Sequence, residues 1–482
     1  MKSPIKAGIC LLITIATYFL LTSKGLSNNV VNMSIIVILM ASLWVTEAIN
    51  IYITALLPLI LFPFFGIMSM KEISPAYMSH IIFLFIGGFL LAFGLERWNL
   101  HKRLSLKIII SLGGSPKRIL FSFMLSSYFL SMWILNTATT MMLLPAALAI
   151  INQIIKTEDK KFQTGLLLGI AFASSIGGSA TLVGTMPNLI LSNFVKETSA
   201  ITQDINFANW MMIGLPLSIV FFFITFFILQ KQFIAPTMKK ADMSLCKEIQ
   251  SSMGNMRWQE HVVSFVFVTT VLAWFFRKTI TIGSIQIPGW STLLPLDDKS
   301  FIQDGTIAIL ASIILFLIPS KKDEGGLLKW DDFKKLPIGV IFLFGSGFAL
   351  SKGITSSGLS LLIQEKMTII QNIPPFAIMI VLVIFMIFLT EFTSNSASAT
   401  LMIPIVYEAI KSMDTPSLYF LIPLTIAASF AFMLPVATPP NTLVFATEKI
   451  AIKDMVRTGI WLNLIGIIVI SLVCNWLVMN IF

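Results

Sequence analysis

The sequence predicts an all-α polytopic membrane protein with about 11 transmembrane helices plus two re-entrant hairpins, arranged as inverted repeats. Three observations carry that expectation. Of the 482 residues, 56% are hydrophobic and only 12% charged, with a mean hydropathy of +0.89; soluble globular proteins carry roughly 25% charged residues. Apolar runs long enough to cross a bilayer recur along the chain, each needing about 20 residues. Motifs of the first half return in the second at one constant separation. This composition excludes a cytosolic enzyme, a disordered scaffold and a nucleic-acid-binding protein. Cys10, Cys246 and Cys474 lie far apart, so there is no disulfide framework or metal-ligand spacing.

The elements follow in order. Met1-Lys2-Ser3-Pro4-Ile5-Lys6 leads into an apolar run to about Leu21. It lacks a small-residue cleavage site and is read as a first span, not a signal peptide. Further runs cover approximately 30–48, 51–67, 77–95, 119–155, 163–195, 209–230, 259–276, 304–319, 336–351, 374–411, 417–447 and 456–480. These are too long and too apolar for porin strands, so helices are the spanning element. Runs 119–155 and 374–411 are nearly twice a span, and each has a polar cluster at its middle: Leu135-Asn136-Thr137-Ala138-Thr139-Thr140 and Thr393-Ser394-Asn395-Ser396-Ala397-Ser398. A helix pair that enters and returns on one side reads this way. Treating both as hairpins gives eleven spans with the N-terminus inside, and places 24 of the 33 basic residues in cytoplasmic segments. That asymmetry is the one the positive-inside rule demands. The formal charge of +10 therefore reports orientation and needs no anionic macromolecular partner.

Sliding the sequence against itself exposes the repeat. Phe85-Ile86-Gly87-Gly88-Phe89-Leu90 matches Phe344-Gly345-Ser346-Gly347-Phe348-Ala349, Asn136-Thr137-Ala138 matches Asn395-Ser396-Ala397, and Pro145 matches Pro404, all at a separation of 259 residues. Gly184-Thr185-Met186-Pro187-Asn188 matches Ala437-Thr438-Pro439-Pro440-Asn441 at 253. With the topology above, the two copies enter the membrane from opposite sides. Inverted repeats with interrupted helices characterise secondary transporters, whose sites lie near the midplane where the repeats meet.

The polar motifs suit ions. Asn, Ser and Thr at a hairpin tip offer uncharged oxygens, which satisfy a hard cation such as sodium; left unpaired, each costs several kcal/mol. The proline-bearing stretches break their helices, and the exposed N-terminus of the second half-helix suits a carboxylate. An isolated Ser or Thr is more simply explained by bonding back to its own helix, but four paired motifs favour a site. No Lys or Arg lies in 119–155 or 163–195, and the second half has only Lys411 near one hairpin end. An anion held here needs helix dipoles, amides, hydroxyls and co-bound cations. Two readings stand for Glu391, an intramembrane acid just before the second tip: a functional group, or a structural acid bonded to neighbouring hydroxyls.

Trp44-Val45-Thr46-Glu47-Ala48-Ile49, Glu96-Arg97-Trp98-Asn99-Leu100-His101, the two Asn-centred tips and Ala437-Thr438-Pro439-Pro440-Asn441 resemble the divalent-anion/sodium symporter family, over about residues 30 to 480 and in motif order. The resemblance implies a homodimer in the plasma (inner) membrane that takes up C4-dicarboxylates (succinate, fumarate, malate) with co-transported sodium ions by an elevator-type movement. It implies a scaffold over 1–116 and 259–373, a transport domain over 117–230 and 374–482, and a cytoplasmic linker over 231–258. Carried over by motif position, the first sodium site uses Ser131, Asn136 and the Gly184 carbonyl, and the second Thr390, Ser394, Asn395 and the Ala437 carbonyl. The substrate carboxylates meet Asn136, Thr137, Asn395 and Ser396, with Thr185, Thr438 and Pro439 close by.

Two departures from the family pattern matter. Its Ser-Asn-Thr tip reads Leu135-Asn136-Thr137 in the first copy, and Met186 replaces the first proline of the first broken helix. They bear on sodium stoichiometry, and Leu135 keeps open a sodium-independent dicarboxylate exchanger of the same fold. Sulfate or another divalent anion is the alternative substrate. Only His80, His101 and His261 are present, without His-Glu-x-x-His or Gly-x-Ser-x-Gly motifs, which argues against an embedded hydrolase. Paired broken helices favour alternating access over a passive channel.

Overall fold

Helices account for nearly the whole chain, in a computed structural model that describes residues 3–79, 81–154, 160–235, 244–282, 285–295, 301–320, 325–367 and 373–482. Lys2, His80, Lys156, Lys239, Lys240, Lys299, Lys321 and Lys322, used in the sidedness and histidine readings, lie outside the described residues, as does 236–243 of the expected linker. The order begins with α1 (Ser3–Ser23), α2 (Asn28–Thr46), α3 (Ile51–Thr54), α4 (Leu57–Phe64) and α5 (Met70–Ile73), then a 3-10 turn over Ser74–Tyr77. Next come α6 (Ile81–Arg97), α7 (Leu100–Leu112), α8 (Pro116–Ser131), α9 (Asn136–Ile154), α10 (Lys160–Ala180), α11 (Met186–Glu197) and α12 (Phe207–Phe233). A short α13 (Ser244–Ser252) and α14 (Trp258–Phe275) lead to a small antiparallel pair, β1 (Ile280–Ile282) and β2 (Ile285–Ile287), with Ile280 opposite Ile287. The second half holds α15 (Asp304–Leu317), α16 (Trp330–Phe333), α17 (Ile338–Ser356), α18 (Leu359–Met367), α19 (Pro375–Thr390), α20 (Asn395–Ile410), α21 (Leu418–Ala427), α22 (Pro439–Phe445) and α23 (Ile452–Ile481).

Among the described residues six helices are long and apolar enough to cross a membrane, α1, α2, α12, α17 and α23 among them. The run at 51–67 is divided: α3 stops at Thr54, and α4 restarts with Pro58 in its first turn and ends just after Pro63. Both predicted hairpins are helix pairs with a break at the tip. At 16 residues, α8 and α19 are each about 24 Å long, short of the roughly 30 Å hydrocarbon thickness. Arms of that length reach inward and turn back.

The repeat extends into the helix boundaries. Pro116 and Pro375 open α8 and α19, where a missing N–H costs nothing. Ser131 and Thr390 close them, and Asn136 and Asn395 open α9 and α20. Each pair keeps the 259-residue separation. So does a pair the motif matching did not include: Asn99 (φ 55°) between α6 and α7, and Gly358 (φ 80°) between α17 and α18. Both take the left-handed conformation that Gly and Asn tolerate best, so each long helix turns sharply into a short one at the same place in both halves.

The main core gathers α6–α12, α14, α15 and α19–α23, with one end of α17. A second core joins α2, α4 and the 3-10 turn to the rest of α17, α18 and the first turns of α20. α10 is buried along almost all of its length. A Cβ at Gly177 would lie 2.1 Å from the Tyr128 carbonyl oxygen, so only glycine lets α10 cross α8 this closely. Small residues at such crossings are what hold helices together where lipid supplies no hydrophobic drive.

Candidate functional site

Each hairpin tip closes on itself through one hydroxyl and one amide. Ser131, at the end of α8, donates its Oγ proton to Asn136 Oδ1 at 2.6 Å. In the second copy Thr390 Oγ1 lies 2.7 Å from Asn395 Oδ1 and 2.8 Å from the Ala428 carbonyl oxygen. Two acceptor oxygens compete there for the one proton of the third oxygen, the hydroxyl. A neutral donor cannot serve both acceptors, whereas a small cation at the centre would satisfy all three.

The first tip is seated on glycine. A Cβ at Gly178 would lie 2.5 Å from Asn136 Oδ1, and one at Gly184 would lie 2.5 Å from the Gly178 carbonyl and 3.0 Å from the Ser131 carbonyl. Ser131, Asn136 and Gly184 are thus brought together, with Gly178 between them. Thr390 and Asn395 are likewise joined. Ser394 sits half-buried at the start of α20, its carbonyl accepting from Ser398 N at 2.9 Å, and Ala437 is buried in the following break. No hydrogen bond among the described residues links Ser394 or Ala437 to the Thr390–Asn395 pair.

Asn136, Thr137, Asn395 and Ser396 are half-buried at the tips, accessible to a small ligand. Thr185 and Thr438 are buried N-caps of α11 and α22; Thr438 Oγ1 accepts from Asn441 N at 3.3 Å, while the Thr185 side chain makes no cap bond. Pro439 is exposed at the first position of α22.

Two further residues, quoted only as motif ends in the sequence, organise the breaks. Asn188 Nδ2 donates to the Gly178 and Thr181 carbonyls at 3.2 and 2.8 Å. Asn441 Nδ2 donates to the Ala431 and Leu434 carbonyls at 3.2 and 3.1 Å. Donor and acceptors all keep the 253-residue separation. Each asparagine thus satisfies carbonyls freed where its helix is interrupted, and both leave a buried Oδ1 without a partner. The buried hydroxyls of Thr139, Ser175 and Ser429 near the tips are also unpartnered. An orphaned polar atom costs about 1–3 kcal/mol, so each of these five atoms is free to bind a ligand.

Leu135 contributes no hydroxyl. Its oxygen accepts from Thr139 N at 3.0 Å, as the first bond of α9. Its side chain lines a small cavity with Phe85, Gly88 and Phe89 of α6 and with Trp133 and Val183. The equivalent face of α17, Phe344, Gly347 and Phe348, meets Ile190, Asn193, Phe194 and Thr400 in the same manner.

Glu391 is buried and fully engaged. Its oxygens accept from Phe432 N at 2.8 Å, Met433 N at 2.9 and 3.1 Å, Leu434 N at 3.1 Å and Asn463 Nδ2 at 2.6 Å. The donors are amides, not the hydroxyls considered from sequence.

Comparison with known proteins follows the same lines. The family described as the sodium:sulfate symporter transmembrane region matches residues 2–482. The chain is 40% identical over 479 residues to the sodium-dependent dicarboxylate transporter SdcS of Staphylococcus saprophyticus, covering 97% of this chain and 90% of that one. It is 39% identical over 445 residues to SdcS of Staphylococcus aureus strain NCTC 8325, covering 90% and 83%. Among solved structures, Neisseria gonorrhoeae MtrF superposes with a TM-score of 0.59 at 13% identity, over 84% of this chain and 83% of that chain. Alcanivorax borkumensis YdaH gives 0.59 at 12% identity, over 87% and 89%. At such low identity these two bear on the fold alone. With a match that spans the chain end to end, the protein belongs to the sodium:sulfate symporter family, the divalent-anion/sodium symporters that its motifs resemble.

Proposed function

We propose that this chain is a sodium-coupled symporter that carries C4-dicarboxylates such as succinate, fumarate and malate inward across the plasma membrane. The observation that carries the reading is the second tip, where Thr390, Asn395 and the Ala428 carbonyl crowd three oxygens around one proton. Sodium bound there, and between Ser131, Asn136 and Gly184 in the first copy, supplies the positive charge that the site's side chains lack. The substrate carboxylates then meet Asn136, Thr137, Asn395 and Ser396, with Thr185, Thr438 and Pro439 alongside. Sodium and the dianion neutralise each other, so neither is stable in the low-dielectric site alone, and coupling follows from that mutual dependence. The strong identity to relatives named as dicarboxylate transporters supports this substrate class over sulfate.

The apolar contacts that α6 and α17 make with the hairpins and α11 support an elevator movement. Phe85, Gly88 and Phe89 on one side, and Phe344, Gly347 and Phe348 on the other, offer a surface that can slide without breaking a dense polar network. In this reading 117–230 and 374–482 move as the transport domain against a scaffold of 1–116 and 259–373. The 231–258 linker lies in the cytoplasm with the N-terminus, and two copies pair through the scaffold.

The test is succinate uptake into proteoliposomes with and without an inward sodium gradient. Uptake should rise steeply with external sodium. Uptake that ignores sodium but requires internal dicarboxylate would replace the symporter with an exchanger.

A further inference from the structure

A cavity of about 410 Å³ lies far from the hairpin tips, on the face that carries most of the basic residues. It is lined by Arg97, Trp98, Asn99, Lys102, Met253, Arg257 and Glu260, at the corner where α6 turns into α7 and where α14 begins. Two of its charges are already answered. Arg97 pairs with Asp332 at 2.7 Å, and Glu260 pairs with Arg103 at 3.1 Å. Lys102 and Arg257 are exposed and take part in no ion pair among the described residues, so the cavity carries two uncompensated cations. The exposed Asn99, held in the left-handed turn, adds a side-chain amide that no hydrogen bond occupies among the described residues.

The neighbouring surface says what kind of anion fits. Along α14, Trp258, Phe265 and Leu272 recur every seven residues on one face, at 40%, 71% and 51% exposure, with Val268 at 53% beside them. Such a stripe on a helix of this protein faces acyl chains, and an exposed Trp at its end marks the headgroup level. Arg257 immediately precedes that Trp. A lipid lying along the stripe therefore brings its phosphate to the cavity mouth. Basic pockets between helices at this depth suit anionic headgroups.

We propose that this cavity is a binding site for the phosphate-bearing headgroup of an anionic phospholipid, held by Lys102, Arg257 and the Asn99 amide with its chains along Trp258, Phe265 and Leu272. A soluble anion has no use for the stripe. The site also touches the Asn99 corner, the joint through which α6 passes to α7 and then to the first hairpin.

The test is native mass spectrometry of the detergent-purified chain titrated with phosphatidylglycerol or phosphatidylcholine. Wild type should retain phosphatidylglycerol in preference. The Lys102→Gln/Arg257→Gln variant should lose about twenty-five-fold of that preference, on the order of fivefold for each cation. Lys453→Gln/Arg457→Gln removes two exposed charges at the start of α23, which lines no part of the cavity, and should retain the lipid as wild type does. Equal loss in both variants, equal retention of the two lipids, or no retention by wild type (the outcome if a second copy covers the stripe) overturns the proposal. Displacement by inorganic phosphate at concentrations matching the lipid would assign the cavity to a soluble anion instead.

Discussion

Asn136 and Asn395 occupy equivalent points, but their surroundings differ. Asn136 Oδ1 takes a proton from Ser131, whereas Asn395 Oδ1 competes with the Ala428 carbonyl for the one on Thr390. Under the proposed function, alanine at either position removes both a cation ligand and a group facing the substrate. Uptake by Asn136→Ala and by Asn395→Ala should therefore fall to background while each protein still elutes as wild type in detergent. Normal uptake by either would mean the tips are not the site. Leu135 gives the opposite expectation. Its side chain packs on α6, so Leu135→Ser should leave the sodium dependence of uptake unchanged; a steeper sodium curve would show that position 135 can supply a ligand. These tips were legible in the sequence because a polar cluster inside an apolar run has no cheap structural explanation. Gly178 was not. Its role is steric, fixed by how closely α10 approaches Asn136, and spacing along one chain cannot report an approach between two helices. Gly178→Ala should weaken sodium affinity several-fold, read as a raised half-saturating sodium concentration, because the new methyl displaces the Asn136 amide.

At the scale of the element, the two repeats break their second helices differently. α10 continues through Ala180, but its counterpart α21 stops at Ala427 and leaves 428–438 without helix. The extra unwinding frees the amides of Phe432, Met433 and Leu434 in an apolar setting, where each unpaired N–H costs several kcal/mol. Glu391 takes all three, held in turn by Asn463. Met132 stands at the equivalent point of the first copy, where α10 is intact and no such acceptor is needed. An acid inside the membrane is thereby explained as the acceptor for an unwound segment. Glu391→Gln puts an NH₂ where an acceptor stood and strands at least one buried amide, a loss of about 1–3 kcal/mol. A lowered thermal unfolding midpoint in detergent is the expected reading, and an unchanged midpoint would remove the capping role. The breaks themselves were visible as Pro- and Asn-bearing motifs. The asymmetry was not, because it depends on an acceptor 41 residues upstream of Phe432 in sequence.

For the whole molecule, the decisive question is whether the hairpin-bearing half moves against the rest. The proposed function assigns α17 to the scaffold and α20 to the transport domain, and the two touch at Thr355 Oγ1, which donates to Glu408 Oε1 at 3.3 Å. Most of the remaining α17 contact with α20 and α11 is apolar, through Phe344, Gly347 and Phe348. A covalent link at 355 and 408 would hold the two helices in the present arrangement. Glu408 is buried, but it lines one cavity of about 480 Å³ together with Thr355, so a short thiol cross-linker applied to Thr355→Cys/Glu408→Cys in proteoliposomes, with the chain's own Cys10, Cys246 and Cys474 replaced by serine, should react only at the introduced pair. An elevator requires α20 to travel by many ångströms relative to α17, which a short link forbids. Sodium-driven succinate uptake should therefore fall to background on cross-linking and return when the link is cleaved. Each single-cysteine variant should be indifferent to the reagent. Full uptake by protein shown to be cross-linked would mean that α20 keeps its place beside α17 throughout transport. Access would then have to alternate by local opening at the tips rather than by travel of a domain.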